Sequence, residues 1–516
     1  MLKKFPFHTF LLAIYFPAAL LATNLGEIKI VTIVRLMLVM LAFSVGLLFL
    51  LNIFMRDIRK AGLIVSLMIV LFSVYGLLYA FFKSPQVLNG LLGRHRVLAG
   101  IIVLLIGLVS WAVTKKIRHI AEISLIVNLF AIYLLAMPLI QTAPFALRAN
   151  SDAAQPPSLE GKAAQTALDG DALPDIYYII LDAYDRGDYL ASEFDFDNSQ
   201  FLDLLRDSGF YVADCSRSNY AHTFLSLSST LNMDYVQTFL TPDTISEFAL
   251  KDALVHSELR DQLSALGYQT SAFDNVHWDF SDADTFYAFE IKPILNPYLF
   301  PVESVFINNS ALKMAEDMSP RFTEAIQKLA SSAVKDHYLQ QKYILDTMDA
   351  VVQLDSPKFV FMHIEKPHGP YVFEPDGDFI EEDAFYRDTY HAAINGDYDK
   401  RGYVKQIEYL NRRITAFVDQ LLKTDEDAIV IIQGDHGIQE NEDLNARMAI
   451  LNAVYFPDQN YASFYPSITP VNSFRIVLDQ FFSGEMGLLE DASYYSYRED
   501  KMEYFLVEEI MAGCVP

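Results

Sequence analysis

Five apolar runs within the first 141 residues restrict this chain more than any other feature: Phe5 to Thr23, Leu36 to Met55, Ala61 to Phe82, Val97 to Thr114, and Ile120 to Gln141. Each is about 18 to 22 residues long, which spans a ~30 Å hydrocarbon layer at 1.5 Å per helical residue. Helices this apolar on every side have no face to turn toward water, so a soluble bundle is excluded. A cleaved signal peptide would account for the first run but not for the four that follow. Lys3 and Lys4, then Arg56, Arg59 and Lys60, then Lys115, Lys116 and Arg118 mark every second boundary as cytoplasmic, with Arg94 and Arg96 on the opposite side. About five spans, with Pro17 kinking the first rather than ending it, place the rest of the chain outside the cytoplasm.

Charge divides the chain at the same point. Up to Gln141 there are thirteen Lys and Arg against three Asp and Glu, which leaves 26 basic and 62 acidic residues for the remainder. So acidic a C-terminal portion excludes a nucleic-acid partner, whose phosphates need clustered Lys and Arg. Two cysteines, Cys215 and Cys514, imply no disulfide framework and leave a single bridge open. Residues 142–173, rich in Ala, Ser, Asp and Gly and carrying Pro156 and Pro157, read as a linker. The remainder divides into a main stretch, 174–457, and a C-terminal piece, 458–516, that completes it or forms a small subdomain.

From Asp175 onward apolar runs alternate with amphipathic ones. Strands are expected at Ile176 to Leu181, Phe210 to Ala213, Tyr268 to Phe273, Phe359 to His363, Ala428 to Gln433 and Ala453 to Phe456. Helices are expected around Phe201 to Asp207, Ser257 to Leu266 and Val404 to Leu422, the first two stopped by Gly209 and Gly267. This alternation predicts an α/β domain with a mainly parallel central sheet. Reactive groups in such sheets gather at the carboxyl ends of the strands. There the sequence places Asp182, then His363 and His368, then Asp435 and His436. A lone Asp after a strand is usually a turn residue, but three ends carrying carboxylates and imidazoles are metal-ligand chemistry. Asp185 and Arg186 read as a solvated turn, and His363 as a structural residue or one that orients a ligand.

The stretches Pro-Asp-Ile-Tyr-Tyr-Ile-Ile-Leu-Asp-Ala-Tyr at 174–184, Asn-Tyr-Ala-His-Thr-Phe-Leu-Ser-Leu-Ser-Ser-Thr-Leu-Asn at 219–232 and Gly-Asp-His-Gly at 434–437 resemble the sulfatase-like branch of the alkaline phosphatase superfamily. Within it the chain is most similar in architecture to membrane-anchored lipoteichoic acid synthases and phosphoethanolamine transferases. The resemblance implies that Asp182, Thr223, Asp435 and His436 hold one divalent ion (Mn²⁺, Mg²⁺ or Zn²⁺), with Thr223 as nucleophile at the start of a helix. His277 and His368 would bind phosphate or move protons. Sulfatases of this fold carry a Cys or Ser in C/S-x-P/A-x-R, converted to formylglycine, and neither Thr223 nor Cys215 stands in that pattern.

The function these features imply is transfer or hydrolysis of a phosphoryl headgroup from a membrane lipid donor, with an envelope glycan or lipid as acceptor. Two alternatives stay open: a phosphodiester or sulfuric-ester hydrolase that uses water, and a non-catalytic envelope scaffold or receptor. Thr223 as a plain helix N-cap, and His277 beside Trp278 as a packed surface imidazole, are the ordinary readings of those residues.

Overall fold

A computed structural model describes residues 2–24, 30–84, 93–148, 173–241, 244–275, 277–289, 299–381, 397–438, 444–497 and 502–507. The chain forms two compact units, 1–152 with 290–333, and 153–289 with 334–516. Most of the expected linker and Cys514 lie outside the described residues.

The first unit is helical. Val34–Met55, His95–Lys115 and the segment Ile120–Ala143 of a longer helix are each long and apolar enough to cross a membrane. Ala61 to Phe82, expected as one span, forms Ile58–Ser73 and Tyr75–Lys83, bent by 50° and countable as a fourth. The first run forms the shorter helix His8–Thr23, with Pro17 inside it. On length and composition, the helices able to cross a membrane number three to four among the described residues. They expose large apolar side chains, Phe54 at 81% and Val103 at 68%, a surface that lipid tolerates and water does not. Their polar groups turn inward instead: the buried His8 ring meets Ser66 Oγ at 2.6 Å and Ser124 Oγ at 3.3 Å, and its amide donates to Asn128 Oδ1 at 2.7 Å.

One part of this unit comes from far along the chain. Pro301–Asn309 packs among the apolar helices through Phe300, Val302 and Phe306, and Leu312–Met318 follows it. Arg35 grips Glu303 with a fork, Nε to Oε1 at 2.8 Å, and His95 Nε2 meets Asp317 Oδ2 at 3.0 Å.

The second unit is built on seven strands: β1 (Ile176–Leu181), β2 (Tyr211–Val212), β3 (Gln269–Phe273), β4 (Thr285–Tyr287), β5 (Lys358–Ile364), β6 (Ile429–Gly434) and β7 (Asn452–Tyr455), in the order β2-β7-β6-β1-β5-β3-β4. β6, β1, β5, β3 and β4 run parallel, while β7 is antiparallel to β6 and β2 to β7. A hairpin, β8 (Tyr494–Ser496) with β9 (Tyr504–Leu506), stands apart from this sheet. β1 is buried at every residue because both faces are covered. Its Tyr177, Ile179 and Leu181 enter a core shared with Asp397–Thr424, and its Ile176, Tyr178 and Ile180 enter one shared with Thr223–Asn232 and Ser473–Phe481. Gly209 and Gly267 end their helices in the left-handed conformation, at φ of 94° and 92°.

The central strands are pinned at their amino ends. Asp175 accepts from the Lys358 amide at 3.0 Å and Ser356 Oγ at 2.7 Å, pairs with the buried Lys358 ammonium, and its carbonyl accepts from the Ile429 amide at 2.8 Å. One residue thus links β1, β5 and β6. Lys358→Met would leave a buried carboxylate without its cation, and breaking such a pair costs about 3–5 kcal/mol. Urea unfolding of the variant should show a loss of that size; a midpoint equal to wild type would show that the pair does not support the sheet.

Candidate functional site

The three central strands also bring the candidate chemistry together. Leu181 lies opposite both Ile364 and Gly434, so Asp182, Glu365 and Asp435 leave the sheet side by side. The Ala183 amide donates to Asp435 Oδ1 at 2.9 Å, which ties the first strand end to the third. For this Ala183 adopts a φ of 61°, a conformation that costs a residue with a Cβ about 1–2 kcal/mol. Gly437 has a steric reason to be glycine: a Cβ there would stand 2.3 Å from Ala446 O and 2.6 Å from Asp185 Oδ1.

Around Asp182 the polar groups outnumber their partners. Asp182 Oδ1, Asp435 Oδ2 and His363 Nε2 are buried without a hydrogen-bond partner among the described residues. Ligand-type atoms of these three residues lie within 4.8 Å of one another. Burial, then the negative charge of Asp435 and Glu365, pushes the Asp182 carboxyl well above the usual carboxylate range. Two buried carboxylates with orphaned oxygens facing one point are the environment that a divalent cation satisfies, so the residues present fit such an ion.

The imidazoles divide by tautomer. His436 Nδ1 donates to Gly437 O at 3.0 Å, which leaves the lone pair on Nε2. That atom is 3.4 Å from Asp435 Oδ2, 3.7 Å from Asp182 Oδ1 and 3.1 Å from Thr223 Oγ1. His363 is set the other way. Asn275 Oδ1 accepts from the His277 amide at 2.8 Å, so its Nδ2 donates to His363 Nδ1 at 2.9 Å. Burial pulls His363 down to about 3, so it is neutral and carries its proton on Nε2, 3.6 Å from Asp182 Oδ2. His363 Nε2 thus faces the Asp182 and Asp435 carboxylates without a hydrogen bond to either.

Thr223 is the first residue of the helix Thr223–Asn232 and not its N-cap; His222 occupies the cap position, with no side-chain cap bond. The hydroxyl is thus directed at His436, and the amides of residues 223 to 225 lie ahead of the first intrahelical bond, from Ser226 to His222 O. His368 Nδ1 donates to Gly369 O at 2.8 Å, and its ring centre is 6.3 Å from that of His436. His277 packs edge-on against Phe224, 5.9 Å between ring centres, with Nε2 3.8 Å from Glu365 Oε2. Asp182, Thr223, Asp435 and His436 therefore share one cluster, His368 adjoins it, and His277 faces Glu365.

The solvated turn expected at Asp185 and Arg186 is incorrect. Asp185 is buried and pushed up to about 8 by that burial, with Oδ1 held by the Ile438 amide at 2.9 Å. Arg186 is buried too, bonded to Asp188 and to Ser216 O. Four residues near the cluster were not singled out from the sequence. Glu365 and Lys366 follow β5 and could have been found by the strand-end rule. Lys366 is fully buried, donates to His368 O at 2.8 Å and Pro370 O at 2.9 Å, and is lowered to about 7 by burial, opposed by Glu365 and Asp182. His337, whose Nδ1 is 3.7 Å from Glu365 Oε2, comes from a distant helix, and Arg447 from a short helix after His436; neither stands at a strand end.

Strand-end carboxylates around an ion-sized gap, with a hydroxyl at a helix start, define an α/β enzyme of the alkaline phosphatase superfamily, here joined to apolar anchoring helices. The chain belongs to the sulfatase family, whose profile, described as Sulfatase, matches residues 174–480. No match was found among curated proteins. Among solved structures, the chain is similar to the C-terminal periplasmic domain of EptC from Escherichia coli (12% identity, 70% of this chain and 98% of that one, TM-score 0.44). It is also similar to the integral membrane protein lipooligosaccharide phosphoethanolamine transferase A from Neisseria meningitidis (13%, 92% and 93%, TM-score 0.37). A third similar structure is the phosphonate monoester hydrolase of Agrobacterium radiobacter (11%, 63% and 80%, TM-score 0.35).

If the gap takes a divalent ion, the ion stabilises the folded state by mass action, about 2.7 kcal/mol at a hundred times its Kd. Added Zn²⁺ or Mn²⁺ should raise the melting temperature of the wild type and leave that of Asp435→Asn nearly unmoved. Equal shifts in both proteins would place ion binding elsewhere.

Proposed function

We propose that the protein is a membrane-anchored phosphoryl-headgroup transferase or hydrolase that uses Thr223 as nucleophile on a phospholipid-type phosphodiester. The observation that carries this reading is the Thr223 hydroxyl, 3.1 Å from the lone-pair nitrogen of His436, at a helix start beside the Asp182 and Asp435 carboxylates. Asp182, Thr223, Asp435 and His436 would hold one divalent ion, which when bound lowers the hydroxyl's pKa and offsets charge on phosphorus.

The chain's own groups account for the remaining steps. With the His436 lone pair given to the ion, the Thr223 proton passes to His368 or His277. Thr223 Oγ then bonds to phosphorus as the bond to the diacylglycerol oxygen breaks, and that oxygen takes a proton from His368 or His277. The amides at the start of the Thr223 helix offer N–H groups to the phosphoryl oxygens. An acceptor hydroxyl or water attacks the phosphothreonine next and gives its proton to an imidazole. As the bond from phosphorus to Thr223 Oγ breaks, that oxygen takes the proton from the imidazole, which returns Thr223 to its free form.

Tethering beside a bilayer raises the effective concentration of a lipid-borne donor, which favours transfer over reaction with a soluble ester. Counting His8–Thr23 and the bent pair as one span each gives five, and with the Lys and Arg pattern this supports an extracytoplasmic catalytic unit facing an envelope glycan or lipid acceptor.

Thr223→Ala should abolish headgroup release from a fluorescent phospholipid, by a factor of about 10³ or more on the scale of losing a nucleophile. Chelation with EDTA should do the same to the wild type. Full release in either case would remove Thr223 or the ion from the reaction.

A further inference from the structure

Arg447 lies between the two segments that the threonine reaction depends on. It follows the loop after His436, its side chain is 97% buried, and its donors reach in two directions. Nε donates to Ala221 O at 2.8 Å, two residues before Thr223, and Nη1 donates to Gly437 O at 2.6 Å. The Arg447 carbonyl in turn accepts from the Gly437 amide at 2.7 Å, so this residue meets both the amide and the carbonyl of Gly437. Gly437 O is also the acceptor for His436 Nδ1. A carbonyl oxygen has two lone pairs, and here one takes the imidazole while the other takes the guanidinium.

We infer that Arg447 is a positioning residue: it fixes the Gly437 carbonyl that keeps the His436 lone pair on Nε2, and it holds the turn that presents Thr223 to that lone pair. This inference rests on the threonine reading above. Without the guanidinium, Gly437 O keeps only the His436 donor and Ala221 O loses the Arg447 donor. His436 and Thr223 then each sample orientations in which they do not meet. Lysine cannot replace the arginine, because one ammonium at the end of a flexible stem does not reach two carbonyls through a fixed planar fork.

Groups that orient a ligand through its second nitrogen typically change ion affinity or activity 10–100-fold when removed. Zn²⁺ alone, titrated calorimetrically into the full-length protein in detergent micelles, should therefore bind Arg447→Gln about 10–100-fold more weakly than wild type. Arg447→Lys keeps the charge and most of the volume, carries the test if Arg447→Gln does not fold, and should bind Zn²⁺ at least about tenfold more weakly. With bis(4-nitrophenyl) phosphate as substrate, kcat of the folded variant should fall by about the same factor while KM stays within about twofold, since no contact to the diester is removed. Thr223→Ala, assayed in parallel, reports on the underlying reaction alone: full turnover there sinks the threonine reading, and the clamp is then judged by Zn²⁺ affinity. Wild-type Zn²⁺ affinity in a variant that melts with the wild type would overturn the inference.

Discussion

Two buried carboxylates facing one gap, Asp182 and Asp435, are what the rest of this protein is arranged around. Asp182 and Asp435 come off neighbouring parallel strands, are buried, and direct oxygens without hydrogen-bond partners toward the same gap. The Coulombic cost of that arrangement in a low-dielectric setting is severe unless a cation or a proton enters. Much of the surrounding structure serves to keep the pair in place. Asp175 and Lys358 pin the far ends of the same strands, Ala183 accepts a strained backbone to bond Asp435, and Gly437 lets the following loop pass within contact of Asp185 and Ala446.

The imidazoles take their roles from what their second nitrogen does. His436 gives its Nδ1 proton to a carbonyl and turns a lone pair toward both carboxylates and Thr223. His363, a residue of the same type a few ångströms away, accepts from Asn275 on Nδ1 and turns a proton toward Asp182. Distance alone would group the two; the hydrogen bonds behind them give one a lone pair and the other a proton toward the carboxylates. His337, lowered to about 3 chiefly by burial, stands 3.7 Å from Glu365 Oε2.

Much of the fold was legible in the sequence, because each central strand is a continuous apolar run whose end is marked by a chemically distinctive residue. Strands expected at 176–181, 359–363 and 428–433 form within a residue of those bounds, as does the helix expected to stop at Gly267. Residues whose roles depend on distant chain segments were not legible. Arg447 resembles any arginine on a short helix until Ala221 and Gly437 are seen around it. Asp185 and Arg186 have the composition of a solvated turn and are buried because later segments cover them. Pro301–Asn309 and Leu312–Met318 could not be assigned to the helical unit, since their apolar faces match the apolar helices only once Arg35 meets Glu303 and His95 meets Asp317. The apolar runs themselves were evident, but hydropathy could not show that the third is bent or that the first gives only a 16-residue helix.

The central claim is that Thr223 becomes covalently bonded to phosphorus, and the most direct measurement is mass spectrometry of the protein quenched in acid during turnover of a phospholipid. The account predicts a phosphoryl-headgroup adduct on the peptide containing Thr223, localised to that hydroxyl. An adduct on another residue, or an unmodified Thr223 peptide under conditions in which the headgroup is being released through a trapped enzyme intermediate, would contradict it.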